Sequence, residues 1–98
     1  MLYVCAMTID ILIPESRSLK AKRSTVKHLV EACRTRFAVA AAEVDFQDQW
    51  QRSELGFAAV SGTRSQVESV LDSVERFVWS HPGLEVIGTR WDWLEPDT

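Results

Sequence analysis

Tyr3-Val4-Cys5-Ala6-Met7-Thr8-Ile9-Asp10-Ile11-Leu12-Ile13-Pro14 alternates along its whole length. Tyr3, Cys5, Met7, Ile9, Ile11 and Ile13 fall on one side of an extended chain, Val4, Ala6, Thr8, Asp10 and Leu12 on the other, and Pro14 ends the run. Because strand side chains alternate with a period of two, the odd-numbered set faces a core as a unit. Beyond the proline the period changes. Leu19, Val26, Leu29, Val30, Cys33 and Phe37 fall within an arc of about 100° on a helical wheel, which predicts a helix over residues 19–36 resting on a sheet. Ala38 to Val44 reads as a second strand of small residues, and Asp45 to Arg52 as a polar loop. Glu54 to Ser61 is a third strand with Leu55, Phe57 and Ala59 on one face. After the Ser61-Gly62-Thr63 turn, Val67, Val70, Leu71, Val74, Phe77 and Val78 mark a second amphipathic helix, stopped by His81-Pro82-Gly83. Leu84 to Leu94 is the last strand, with Ile87, Thr89, Trp91 and Trp93 expected on one face.

The order β-α-β-β-α-β is that of α+β, ferredoxin-like folds. Two right-handed crossovers place both helices on one face of a four-stranded antiparallel sheet. The chain has 98 residues, 46 % of them hydrophobic, so a single domain spanning 1–98 is expected. A chain of this size buries roughly two thirds of its unfolded surface, without metals or disulfides. Val4, Ala6, Leu12, Ala58 and Val60 lie on the opposite strand faces and are largely apolar, so a partner or second copy is expected to cover them. The opening Met1-Leu2-Tyr3-Val4 lacks a charged leader, and no apolar run approaches the ~18 residues of a membrane span, so a cytoplasmic protein with no membrane partner is expected.

Charge is polarised along the chain. Residues 1–36 carry seven bases (Arg17, Lys20, Lys22, Arg23, Lys27, Arg34, Arg36) against three acids, whereas residues 37–98 carry four Arg against eleven acids. With a net charge of −3, anion binding is confined to a patch. Lys20, Arg23, Lys27 and Arg34 share one stripe of the first helix, about 21 Å long at ~1.5 Å per residue. Bases in a first turn oppose the helix dipole, so Lys20, Lys22 and Arg23 cost the helix a few tenths of a kcal/mol each unless an anion binds there. Arg17, the hydroxyls of Ser16 and Ser18 and the backbone N–H groups complete an expected phosphate cradle. A solvated charged face is the competing reading, and Lys22, on the flank of the apolar arc, is placed to snorkel from the core edge.

Other groups favour structural roles. Trp91 and Trp93 share a strand, Trp50 sits in the polar loop, and Trp79 lies on the acidic side of the second helix with Glu68, Asp72 and Glu75. Aromatics beside bases stack on unpaired nucleotides, but packing is the commoner use of Trp. Leu55-Gly56-Phe57-Ala58-Ala59-Val60 partly echoes the core of an RNA-recognition motif, yet Leu55, Ala59 and Gly62 stand where a base and two aromatics are needed. Glu43, Asp45 and Asp48 lack the spacing of a cation loop, and Glu43 is expected to pair with Arg52 across the connection. Cys5 and Cys33 read as buried thiols, and His28 and His81 have no cysteine at zinc spacing, so neither metal nor cofactor is expected.

Two blocks, Ile13-Pro14-Glu15-Ser16-Arg17-Ser18-Leu19-Lys20-Ala21-Lys22-Arg23 and Ala42-Glu43-Val44-Asp45-Phe46-Gln47-Asp48-Gln49-Trp50-Gln51-Arg52, resemble the YlxP-like family, a bacterial domain of unknown function. The resemblance runs to about residue 80. Its Ser-Leu-Lys-x-Lys-Arg motif falls on Ser18, Leu19, Lys20, Lys22 and Arg23, and its Glu…Asp…Trp-Gln-Arg block on Glu43, Asp48, Trp50, Gln51 and Arg52. Asp45-Phe46 departs from the Gly-Asp pair usual in the family. The resemblance implies a ferredoxin-like fold and, because family genes often neighbour translation-initiation and ribosome-assembly factors, a setting near ribosomal RNA or a ribosomal subunit. It brings no catalytic residues. Three functions are thereby weighed: a non-catalytic RNA- or ribosome-associated accessory factor, a protein-interaction or homodimerising module using the apolar sheet face with Trp91 or Trp93, and an acylphosphatase-like enzyme. The last needs an active-site Asn, and the chain contains none.

Overall fold

The computed structural model describes residues 1–94, so residues 95–98 of the expected domain lie outside the described residues. Six elements follow one another: β1 (Tyr3–Leu12), α1 (Leu19–Phe37), β2 (Ala40–Asp45), β3 (Arg52–Ser61), α2 (Arg64–Trp79) and β4 (Glu85–Leu94). The strands form one antiparallel sheet in the order β2-β3-β1-β4, with both helices on one face: the ferredoxin-like α+β fold.

The core follows from the two periods. Cys5, Met7, Ile9 and Ile11 from β1 and Leu55, Phe57 and Ala59 from β3 are buried against Val26, Leu29, Val30 and Cys33 of α1 and Val67, Leu71, Val74 and Val78 of α2. The β1–β3 register sets Cys5, Met7 and Ile9 opposite Ala59, Phe57 and Leu55, so the apolar faces of the two central strands coincide. Among the described residues no helix covers the opposite face. Ala6, Ala40, Ala42, Val44, Val60 and Leu94 are exposed there, and Val44 lies over Gly56, where a Cβ would come within 2.7 Å of its Cγ1.

Two expectations are corrected. Ala38 does not open β2; it caps α1 in the left-handed conformation (φ 53°, ψ 45°), and β2 starts at Ala40. Ile87 does not share a face with Trp91 and Trp93. The β1–β4 register passes from Asp10 opposite Gly88 to Ile11 opposite Val86, leaving Ile87 as the extra residue of a bulge. That insertion shifts side-chain parity, so Val86 packs on the core and Ile87 is exposed.

Both cysteines are free and fully buried. Burial raises both thiol pKa values, that of Cys33 to about 11. A thiol held protonated by the fold stabilises it below the unfolded pKa and loses that contribution as pH rises. Stability is therefore expected to decline from about pH 9 toward pH 11, with a flatter decline for Cys33→Ala in urea titrations across that range.

Candidate nucleic-acid interface

The first helix begins where the chain runs out of strand. Pro14 follows β1, and the Ser16 hydroxyl donates to the Ser18 carbonyl at 3.2 Å. Ser18, itself extended (φ −161°), caps α1 by accepting from the Ala21 N–H at 3.0 Å. The Ser16 and Ser18 hydroxyls are thus engaged in the cap rather than in the expected phosphate cradle. The first turn contains no acid, so the dipole at this end is left uncompensated by the helix itself.

Arg17, Lys20, Arg23 and Lys27 are exposed, and among the described residues none of them forms an ion pair. Arg34 continues the stripe, exposed but tied down: its Nε and Nη2 donate to the Ala41 carbonyl at 3.1 and 2.7 Å.

Lys22 is a correction. It does not face solvent or an anion; its side chain is 0 % exposed, and Nζ lies 2.5 Å from the Glu43 carboxylate while donating to the Phe46 carbonyl at 2.8 Å. The same Glu43 oxygen accepts from the hydroxyl of buried Ser53 at 2.6 Å. A second correction follows. Glu43 does not pair with Arg52, because the two lie on opposite faces of the sheet. Glu43 sits opposite core residue Leu55, whereas Arg52, opposite Leu12, points to the open face. There Arg52 forms a two-pronged pair with Asp10 (3.2 and 2.7 Å), a hydrogen bond that raises the guanidinium pKa. Its guanidinium also stacks 4.0 Å from the centre of the Phe46 ring.

The loop between β2 and β3 is held at both ends. Phe46 is left-handed (φ 63°), unusual for a bulky residue. Its N–H donates to Asp45 at 2.7 Å, and its carbonyl receives both Lys22 and the Gln49 N–H. At the other end the Gln51 carbonyl accepts from the Ile13 N–H at 2.8 Å, and Gln51 Nε2 donates to the carbonyls of Pro14 and Ser16, each at 3.1 Å. Asp48 and Trp50 remain exposed between these anchors. The two sequence blocks that carry the family resemblance therefore meet, and Lys22, Glu43, Gln51 and Arg52 hold the β2–β3 loop beside the start of α1.

Ser53, Asp10 and Phe46 were not picked out by sequence reasoning as members of this arrangement. A serine on the same strand face as Leu55, Phe57 and Ala59 was the available signal, since a hydroxyl at a core position requires a partner. Elsewhere His28 and His81 approach with ring centroids 5.8 Å apart. Among the described residues no three His, Cys, Asp or Glu side chains are grouped to hold a metal, and no helix is long and apolar enough to cross a membrane.

Comparison with known proteins identifies the family. The profile of the family described as "Protein of unknown function (DUF503)" matches residues 4–91. The "Uncharacterized protein YlxP" of Bacillus subtilis (strain 168) is 38 % identical over 85 residues, covering 87 % of this chain and 92 % of that protein. Both sequence blocks fall inside the matched region, and the chain belongs to the DUF503, YlxP-like family.

Proposed function

We propose that the protein is a non-catalytic, cytoplasmic RNA- or ribosome-associated accessory factor that contacts phosphates through one face of α1. The observation that carries this reading is the exposed row Lys20, Arg23 and Lys27, with Arg17 before it, lacking acidic partners among the described residues at a helix start that has no acid of its own. In a chain of net charge −3, such a row concentrates positive potential where helix N–H dipoles add to it. Ser18 caps the helix and Lys22 braces it from inside, so both act on this face without touching the anion.

Gradient sedimentation of lysate at low and moderate salt tests the reading. The wild type is expected to travel with a ribosomal subunit at low salt and to be released as salt rises, whereas Lys20→Glu/Arg23→Glu/Lys27→Glu stays at the top. On a purified single-stranded oligoribonucleotide, four phosphate contacts give a log–log salt slope of about −3, reduced by about 2 in the triple variant. A flat salt response, or equal behaviour of both proteins, rejects it.

A second reading rests on the open sheet face, where Val60 and Leu94 are 63 % and 64 % exposed beside Ala6, Ala40 and Ala42. A second copy covering that face would make the protein a homodimeric interaction module, though without the expected Trp91 or Trp93, which lie opposite Met7 and Cys5 on the core face. Its mark is a mass that doubles with concentration and reverts on Ala6→Arg.

A further inference from the structure

We propose that Trp50 is a stacking platform for an unpaired base, so that the nucleic acid held along α1 is single-stranded. The inference rests on the phosphate-contact reading above and names the kind of strand it takes.

Trp50 is 55 % exposed, on a short loop whose two ends are immobilised. Lys22 binds the Phe46 and Gln47 carbonyls at 2.8 and 3.4 Å, and Gln51 binds Ile13, Pro14 and Ser16. Trp50 therefore precedes a residue hydrogen-bonded to Ser16, and Arg17 follows that Ser16, so the loop that carries the indole is tethered to the segment that opens α1. An aromatic fixed by its backbone loses little freedom when a base settles on it.

The other aromatics do not offer this. Trp91 and Trp93 are half-buried against the core, with Arg64 lying 4.0 Å over the Trp93 ring. Trp79 is exposed at the end of α2, whose outer face carries Glu68 and Asp72. The open face of the central strands, where sheet-based RNA binders place stacking rings, carries Ala6, Thr8, Gly56 and Ala58 instead. Trp50 and Trp79 are both exposed, and Trp79 has Arg76 one turn before it, but Trp50 is the one whose loop is hydrogen-bonded to the segment that opens α1 and its basic row. Asp48, exposed on the same loop, repels phosphates from the loop tip and biases the backbone toward α1. A ring platform with no base-edge reader discriminates by strandedness, since a paired and stacked base has no open face to give it.

Fluorescence anisotropy of an end-labelled decauridylate and decaadenylate, against a ten-base-pair RNA duplex, tests this with the full chain at fixed low salt. The single strands are expected to bind more tightly than the duplex. Trp50→Ala should weaken single-strand binding by about 10-fold to 100-fold, leaving the salt slope and duplex binding unchanged, and Trp50→Phe should retain most of the affinity. A Trp50→Ala protein that binds single strands like the wild type, or a wild type that binds duplex at least as well, overturns the inference. If Lys20→Glu/Arg23→Glu/Lys27→Glu still abolishes binding in that event, the phosphate reading survives without stacking. Binding of neither RNA by the wild type overturns both. Trp50 makes no contact with the buried core, so an unchanged urea midpoint for Trp50→Ala certifies folding in every arm.

Discussion

Lys22→Met is expected to lower the unfolding free energy by about 3–5 kcal/mol, the loss typical of removing one partner from a buried ion pair. In a domain of this size each kcal/mol moves Tm by about 4–8 °C, so calorimetry should register a fall of more than about 12 °C. The reason is asymmetry. The ammonium is wholly enclosed and the Glu43 side chain only 16 % exposed, so the substitution strands a carboxylate and also removes one of the two donors to the Phe46 carbonyl, leaving the Gln49 N–H. Replacing the whole polar set by apolar groups, Lys22→Met/Glu43→Leu/Ser53→Ala, should recover most of the loss, because the desolvation cost of both charges disappears with them. The triple variant should still differ in one place. Without the Lys22 bonds to the Phe46 and Gln47 carbonyls, amide exchange in the β2–β3 loop should accelerate while core protection returns. Were Lys22 a phosphate ligand instead, Lys22→Met would leave Tm intact and flatten the salt dependence of RNA binding.

Phe57→Ala should cost a similar 3–5 kcal/mol, with no partner substitution able to restore it. Phe57 is 3 % exposed in the middle of β3, paired with Met7 on one side and Ala41 on the other. Truncation opens a cavity beneath both helices that Ala41 is too small to fill. Urea titration should show a lower midpoint at an unchanged denaturant slope, and a changed slope would mean that the unfolded or native ensemble itself had altered. The two variants separate two kinds of stability: packing that depends on volume, and a lock that depends on matched charge.

The fold was legible because both central strands and both helices devote one face to apolar residues, and a repeated period of 2 or 3.6 survives small errors in element ends. It failed where a single residue breaks the period. Ile87 sits in a bulge, and nothing in Glu85-Val86-Ile87-Gly88 marks which residue is extra. Ala38 continues the small apolar run that follows it, although its left-handed backbone ends the helix. At the site, the basic row was visible because helical spacing is local. The pairings were not. Lys22 meets Glu43 across 21 positions and Arg52 meets Asp10 across 42, and each is decided by which sheet face a side chain takes, a property set by register rather than by nearness in sequence.

Each outer strand of the sheet carries one surplus residue, Val44 in β2 and Ile87 in β4, while β1 and β3 pair with each other without interruption. Outer strands are the rows of backbone donors and acceptors open to recruitment by another chain, and a bulge bends such a row out of register with any incoming strand. The positions that upset the regular alternation thus act as guards against polymerisation by strand addition. Deletion of Val44 is expected to straighten an apolar, alanine-rich border and to speed cross-strand aggregation, read as a faster rise of light scattering than in the wild type.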